Sequence, residues 1–296
     1  MCRRLVCRPS IRNPMGQVIL SNSYMADGKA LCSLKRGNLI QTILSDYPAR
    51  KFPIILDIGC GSGNLTRFLA NSIPNEEIIA IDNDPDMVSF SVKNTTPGNF
   101  KIKFLCQDIS IPWAQLDPEL TRLAGQVDLI FSNYVLHWVI DIRTACQNLS
   151  RLLKQGGLFY FNIFGVKPLS IPNFGKYLKQ ESVEDQLAGI MATLKLNGLQ
   201  VTRQNMYSYE WHYTEKDFEV LMPLMYAMHN VRIDSTSFTK LDALERDKIR
   251  QEIRIGCNEA YLFQVGNKGK IYPVGSGDPL LYCYDGFVIQ GGKLVK

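Results

Sequence analysis

The chain has 296 residues, of which 46% are hydrophobic and 21% are charged, and its formal net charge at pH 7 is +5. Such a composition is ordinary for a globular protein, and the length suits one large α/β domain or a domain with a sizeable insertion. It excludes nucleic acid as the default partner, because no run of Lys and Arg with interleaved aromatic residues occurs. It also excludes a transmembrane helix, because no apolar run reaches the roughly 18 residues needed.

The 8 cysteines are spread along the chain without a C-x-x-C pair. This pattern indicates free thiols in a reducing compartment rather than a disulfide framework or a zinc site, so we predict no metal. Four arginines precede the first acidic residue, Asp27. We expect a flexible segment over 1–27 and a cytoplasmic protein, with a mitochondrial presequence as the less favoured alternative, since Pro9 and Pro14 would interrupt its helix.

Helix and strand signals alternate through the first half of the chain. After a helical pattern over 31–44, the predicted elements in chain order are a strand over 54–57, a helix over 65–71, a strand over 77–82, a helix that opens at Asp84-Pro85, strands over 102–106 and 127–132, a helix over 142–153 and a strand over 158–164. Nearly continuous apolar strands separated by helices are typical of a parallel sheet covered on both faces. The sequence therefore predicts a doubly wound α/β core.

The second half combines helices with two further strands. Helical patterns cover 181–196, 214–228 and 241–261, and strand patterns cover 206–213 and 280–289. We interpret these as the last strands of the same sheet and a helical cap. No linker or repeat separates them, so we predict a single domain over 28–296, with a cofactor-binding core over about 50–165 and the cap and last strands over about 166–296.

The first strand is followed by a glycine-rich loop that reads D-x-G-x-G-x-G from Asp57 to Gly63. Glycine is needed where the backbone turns tightly or approaches a ligand closely. A strand, such a loop and a helix N-terminus together are typical of a nucleotide site at the carboxyl edge of an open sheet. A tight turn without any ligand is the alternative for the loop taken alone.

Acidic residues at the ends of the next two strands strengthen the nucleotide interpretation. Asp82 lies 19 residues beyond Gly63, where a carboxylate meets ribose hydroxyls in this architecture. Asp108 could accept a hydrogen bond from an adenine amino group, with Ile109 packed on the ring; a turn or helix-capping role is the alternative for Asp108. Three acidic residues at successive strand ends predict a cofactor site.

Between about 54 and 164 the chain resembles class I S-adenosylmethionine (SAM) dependent methyltransferases. The resemblance rests on the glycine loop, the acidic strand ends and the turn L-L-K-Q-G-G at 152–157, where Gln155 replaces the usual Pro. It implies a Rossmann-like sheet of seven strands, five parallel and then an antiparallel hairpin, with SAM bound over the glycine loop. The predicted cofactor contacts are Asp57, Gly59, Gly61, Gly63, Asp82, Asn83, Asp108, Ile109 and Ser132.

The segment after the fourth strand, F-S-N-Y-V-L-H-W-V at 131–139, is similar to juvenile hormone acid O-methyltransferases. Trans-aconitate and malonyl-carrier-protein methyltransferases share its Leu-His-Trp or Leu-Gln-Trp, and all three groups modify carboxylates. A carboxylic acid is ionised at pH 7 and needs no general base. We therefore assign Trp138, whose indole is a donor-only group, to orienting the acceptor carboxylate; a packed core residue is the alternative. His137 is either structural or a base for an alcohol or phenol acceptor.

Other features bear on the acceptor. The N-P-P-Y sequence of enzymes that methylate adenine amino groups is absent, which disfavours base methylation. Juvenile hormone acid methyltransferases carry a glutamine where Met25 stands here, so the acid recognised is open. Aromatic and Met residues over 207–229 predict an apolar small-molecule pocket or, alternatively, ordinary core. The predicted function is O-methylation of a small lipophilic carboxylic acid; the alternatives are another acceptor (a protein side chain, RNA or a small alcohol) or a non-catalytic assembly factor with the same fold.

Overall fold

The computed structural model describes residues 39–95, 101–169, 181–213, 229, 240–265, 271–272 and 280–294. Predictions that concern 1–38, including Met25 and the flexible segment over 1–27, and the helix over 214–228 lie outside these residues.

Alternating strands and helices make up the described chain, as the sequence predicts. The strands are β1 (Ile54–Ile58), β2 (Glu77–Asp82), β3 (Ile102–Cys106), β4 (Val127–Asn133), β5 (Leu153–Gly165), β6 (Leu199–Tyr213), β7 (Leu262–Val265), β8 (Ile271–Tyr272) and β9 (Leu280–Lys293). The helices are α1 (Leu39–Asp46), α2 (Asn64–Ser72), α3 (Pro85–Lys93), α4 (Pro118–Thr121), α5 (Ile142–Leu152), α6 (Val183–Leu196) and α7 (Ala243–Tyr261).

The sheet has the strand order of the predicted fold. Its order is β3-β2-β1-β4-β5-β9, with β6 pairing β9, and the four neighbouring pairs from β3 to β5 are parallel. Consecutive parallel strands must be joined by crossovers, and here α2, α3 and α5 supply them. The order reverses between β1 and β4, which is where ligands bind in open α/β sheets. The doubly wound, mostly parallel, Rossmann-like prediction is confirmed: its seven strands are β1 to β6 and β9, and β7 and β8 extend the sheet to nine strands among the described residues.

One hydrophobic cluster covers the face of this sheet that carries α1 and α2. Its members are buried apolar residues from four strands, from the two helices and from the segments next to them: Leu39, Ile40, Ile43, Phe52, Ile55, Leu69, Ala70, Ile73, Ile78, Leu129, Phe131 and Tyr160. Complete burial of an aliphatic or aromatic side chain stabilises a fold by about 1.5–3 kcal/mol. The cluster therefore fixes the central strands whose carboxyl ends carry the site.

The fifth strand differs from its predicted bounds. The sequence predicts a helix over 142–153 that is stopped by Gly156-Gly157 and a strand from 158, but α5 ends at Leu152 and β5 begins at Leu153. Val127 pairs with Leu153 and Leu129 with Leu158, so β5 contains extra residues that bulge from the ladder, with Gly156 at φ 70°. Sequence alone favoured the helix-stop interpretation because glycine serves both as a helix C-cap and in a bulge.

The chain divides into two compact units. The first comprises 1–163, 190–205 and 288–296, and the second 164–189 and 206–287. Within the second unit, α7 buries Ile249, Ile253 and Cys257 at helical spacing, and β7 lies antiparallel to β8 and to the start of β9. The single domain over 28–296 stays a prediction. No helix among the described residues is long and apolar enough to cross a membrane.

Candidate cofactor and acceptor site

The glycine loop after β1 adopts the left-handed backbone that its sequence predicts. Gly59, Gly61 and Gly63 have φ values of 71°, 53° and 72°, a region that residues with a Cβ rarely enter. The amides of Gly59 and Cys60 donate to the carbonyl of Ile81 at 2.7 and 3.0 Å. The loop is therefore held against the end of β2 before any ligand arrives.

The three glycines differ in the space beside them. A Cβ on Gly59 would lie 2.1 Å from Val135 Cγ2, and one on Gly63 would lie within 3.1 Å of Arg67, Ser91 and Phe104 side-chain atoms. A Cβ on Gly61 would meet no atom of the described residues within 4 Å. Gly61 thus lines open space at the carboxyl edge of the sheet, which is where a ligand can lie against the loop backbone.

Asp57, at the end of β1, is a buried carboxylate on the α2 side of the loop. It is 3% exposed and accepts a hydrogen bond from the Thr66 hydroxyl at 2.6 Å. Burial, with a smaller contribution from the nearby charge of Asp82, raises the pKa of Asp57 to about 7. Asp57 can therefore change its charge near neutral pH, and a cationic ligand group would favour the ionised form.

Asp82, at the end of β2, holds the glycine loop from the opposite side. Its Oδ2 accepts from the amide of Gly61 at 2.8 Å, and its Oδ1 accepts from the amide of Asp84 at 2.9 Å. Burial raises the pKa of Asp82 to about 6, although these amide hydrogen bonds act in the opposite direction. The amides of Gly61, Asn83 and Asp84 donate to this carboxylate, whose two oxygens together offer about four lone-pair sites, so the predicted ribose hydroxyl contact remains compatible with this arrangement.

The helix after β2 begins as its sequence predicts. Asp84 is the N-cap of α3, its side chain accepts from the amide of Asp86 at 2.9 Å, and Pro85 occupies the first turn. Asn83, a predicted cofactor contact, is exposed between Asp82 and this cap. It lies at the correct edge of the sheet for that contact.

The segment after β3 is fixed by two buried amide side chains. Asn148 of α5, 1% exposed, donates from Nδ2 to the carbonyls of Ile109 at 2.8 Å and Ile111 at 2.9 Å. Gln107 accepts from the amide of Asp117 at 2.8 Å. The predicted adenine segment is thus positioned by residues that the sequence analysis did not identify.

Asp108 and Ile109 occupy that segment differently. Asp108 Oδ1 accepts from the amide and the hydroxyl of Ser110 at 2.8 and 2.6 Å, while Oδ2 accepts no hydrogen bond from the described residues. Oδ2 is the oxygen available to an adenine amino group. Ile109 is 4% exposed, so only a small part of its side chain is accessible to a ring.

The end of β4 leads into the predicted acceptor side. Ser132 is fully buried, and its Oγ has no hydrogen-bond partner within the described ranges. Tyr134 turns the chain with φ 59°, and a 3-10 helix over Leu136–Trp138 follows. Trp138 is partly exposed, and its indole N–H makes no hydrogen bond to any described residue. Since this donor has no partner in the described part of the chain, it is available to an anionic ligand.

The predicted residues therefore gather at one edge of the sheet. The register aligns Asp57 of β1 with Phe131 of β4, and Asp82 of β2 with Cys106 of β3, so the ends of all four strands lie together. Sequence reasoning missed Thr66, Asn148 and Gln107. For Asn148 a signal existed, because it is a polar residue on the face of α5 that buries Ala145, Cys146, Leu149 and Leu152.

Residues 56–161, which contain this site, match a family model described as "Methyltransferase domain". Over this stretch the chain is similar to methyltransferase domains. S-adenosylmethionine is the cofactor of this class of domain. Among the residues that the structure describes, the open space beside Gly61, the Asp108 Oδ2 that accepts no hydrogen bond and the Ser132 Oγ without a partner fit an extended nucleoside with polar groups along its length.

The relatives agree with the family model. Over 144 residues, 49% of this chain and 47% of the relative, the chain is 31% identical to a malonyl-[acyl-carrier protein] O-methyltransferase of Acetivibrio thermocellus. Over 124 residues, 42% of this chain and 44% of the relative, it is 28% identical to a trans-aconitate 2-methyltransferase of an Azoarcus species. The chain thus spans about half the length of these curated relatives.

Solved structures support the fold. The YcgJ protein of Bacillus subtilis has a TM-score of 0.51 at 17% identity, over 87% of this chain and 99% of that chain. At this identity the likeness shows the fold alone. The finer resemblance to juvenile hormone acid methyltransferases stays a prediction.

Proposed function

We propose that this protein is a SAM-dependent methyltransferase that transfers the methyl group to a carboxylate oxygen of a small lipophilic acid. The observation that carries the proposal is Trp138, an indole donor without a hydrogen-bond partner among the described residues, directly after the strand that borders the glycine loop. Two relatives are named for carboxylate-containing acceptors, malonyl groups on a carrier protein and trans-aconitate, which supports the carboxylate class.

In the proposed reaction the main task of the protein is to position the acceptor. A carboxylate acceptor is already ionised at pH 7, so no side chain has to remove a proton. When bound, SAM supplies a methyl group on a positively charged sulfur; the new bond is carboxylate oxygen to methyl carbon, and the sulfur leaves as a neutral thioether. The protein holds the attacking oxygen in line with the carbon–sulfur bond and excludes water.

Trp138 and His137 have separate roles in this proposal. The Trp138 N–H donates to the carboxylate and fixes its orientation without competing for the methyl group. The His137 ring lies 5.4 Å from the Trp138 ring, centroid to centroid, at an interplanar angle of 40°. His137 therefore supports the indole, and a carboxylate acceptor gives it no proton to remove.

The lipophilic part of the proposal rests on the sequence of the second unit. Aromatic and Met residues are concentrated over 207–229, and Met side chains adapt to irregular apolar ligands. The same proposal includes a cytoplasmic location, because cysteines spread along the chain without C-x-x-C pairs are typical of proteins in a reducing compartment.

The test is methyl transfer from labelled SAM to farnesoic acid, trans-aconitate and a malonylated carrier protein, with total RNA and total protein as competing acceptors. Trp138→Phe keeps an aromatic ring and removes the donor. A hydrogen bond to a charged group contributes about 1.5–3 kcal/mol. We expect kcat/KM for the acid to fall about 10- to 100-fold, with the Kd for S-adenosylhomocysteine unchanged.

Three results would contradict the proposal: labelling of RNA or protein instead of any acid, binding of SAM without turnover on any acceptor, or full acid methylation by Trp138→Phe. Equal loss of acid methylation and of S-adenosylhomocysteine binding would show that Trp138 is structural.

A further inference from the structure

The end of β4 and the end of β5 carry an amide pair that the proposed reaction has not yet used. Asn133 and Asn162 are register partners, so their side chains lie on the same face of the sheet. Asn162 Nδ2 donates to Asn133 Oδ1 at 3.0 Å. Asn162 is 1% exposed, and its backbone carbonyl accepts from the amide of Tyr134 at 2.7 Å. This amide is therefore rigidly held.

The hydrogen bond from Asn162 determines which polar atoms of the Asn133 side chain are available to a ligand. A side-chain amide has one oxygen that accepts and one NH₂ group that donates twice. The Asn133 oxygen is occupied by Asn162, while its Nδ2 makes no hydrogen bond to any described residue. Asn133 is partly exposed, so the atoms available to a ligand are the two N–H donors.

The position of Asn133 places these donors beside the cofactor loop. Phe131 is the register partner of Asp57, and Asn133 is two residues further along β4 on the same face. After Asn133 the chain turns at Tyr134 and packs Val135 against Gly59. The amide thus lies between the glycine loop and the turn that carries Trp138.

We propose that Asn133 determines acceptor specificity by donating from Nδ2 to the acceptor carboxylate, and that Asn162 is the positioning residue that holds the amide in this donor orientation. The inference rests on the proposed carboxyl methylation and deepens it. Donors without an exposed acceptor suit an anion, whereas a protonated amine would meet only N–H groups and be disfavoured.

The test compares two ligands of one carbon skeleton, farnesoic acid and farnesylamine. Their Kd values are measured on protein saturated with S-adenosylhomocysteine, so binding is read without turnover. Asn133→Asp replaces the donors by an anionic acceptor at nearly constant size. Asn162→Asp offers oxygens instead of the NH₂ donor, so the Asn133 amide turns its NH₂ group inward and exposes its oxygen.

In both variants we expect the preference for acid over amine to fall at least 10-fold, with kcat/KM for the acid falling in parallel. Asn162→Gln keeps the NH₂ donor, so it should retain part of the preference for acid over amine that Asn162→Asp loses. Where Asn133→Asp does not bind S-adenosylhomocysteine, Asn133→Ala replaces it and should lose acid affinity without gaining amine affinity.

The outcomes distinguish failure of the role of Asn133 from failure of the proposed function. An unchanged acid-to-amine ratio in folded variants overturns the role of Asn133, while methylation of an acid by the unaltered protein upholds the proposed function. Acid binding without methylation by the unaltered protein removes the proposed function, and the ratio still tests Asn133. Binding of no acid at all overturns both.

Discussion

Substitution of Asn148 tests whether its buried side-chain amide holds the segment after β3 in place. Its Nδ2 bridges two carbonyls of the segment that follows β3, at 2.8 and 2.9 Å, and its side chain is 1% exposed. Asn148→Ala removes both hydrogen bonds, each contributing about 1 kcal/mol net, and leaves the carbonyls of Ile109 and Ile111 without their donor, at about 1–3 kcal/mol for a group that stays dry. We expect a loss of about 3 kcal/mol in the free energy of unfolding.

Asn148→Ala should also weaken cofactor binding. If the carbonyls regain water by movement of the segment, Asp108 moves with it, and the affinity for S-adenosylhomocysteine falls by about 10-fold. Urea unfolding gives the stability, and calorimetric titration gives the affinity. Asn71→Ala is the matched control, because Asn71 Nδ2 also donates to a carbonyl, that of Arg67 at 2.7 Å, but on an exposed helix surface.

The reasoning is refuted if Asn148→Ala and Asn71→Ala have equal effects on stability, since burial would then not determine the cost. The claim that Asn148 positions the segment of Asp108 for the cofactor is refuted if Asn148→Ala loses stability while the Kd for S-adenosylhomocysteine stays constant at a temperature where the variant is folded.

Two further predictions concern the glycine loop. The methyl group of Gly61→Ala enters open space, so this variant should weaken SAM binding more than tenfold with a smaller effect on stability. Gly59→Ala must displace Val135 and should instead destabilise the fold. Thermal unfolding measures the stability of each variant, and titration with SAM measures its affinity. Burial raises the pKa of Asp57 from its unfolded value of 3.8 to about 7, so its contribution to stability is fully present below pH 3.8 and is lost as pH rises through 7. Asp57→Asn should flatten this decline in urea unfolding of the cofactor-free protein between pH 5 and 8, and an unchanged slope would contradict the assignment.

Local signals predicted much of this fold. The cap at Asp84-Pro85 was readable because an N-cap and a first-turn proline act within a few residues. The strands before the site were readable because each is a short apolar run ended by a polar residue. The early start of β5 was not, because Gly156-Gly157 is compatible with both a helix end and a bulge, and only pairing with β4 decides between them.

The contacts that hold the site were not accessible from sequence. Asn148 is 39 residues from Ile109 along the chain, and Asn162 is 29 residues from Asn133. Such pairs depend on the register of neighbouring strands and on the docking of α5, which no local pattern encodes. Asp82 illustrates the same limit: its position predicted a ligand contact, but its hydrogen bond to Gly61 depends on the folded loop.

The contact between Val135 and Gly59 has a consequence for how acceptor preference can change. Val135 belongs to the turn that carries Trp138 and Gly59 to the glycine loop, and no side chain larger than hydrogen fits at Gly59 beside Val135. A substitution at Val135 that changes the shape of this turn is therefore also expected to displace the glycine loop. Diversification of this scaffold, in evolution or by design, is expected to spare Val135 and to act through Asn133 and Trp138 on either side of it.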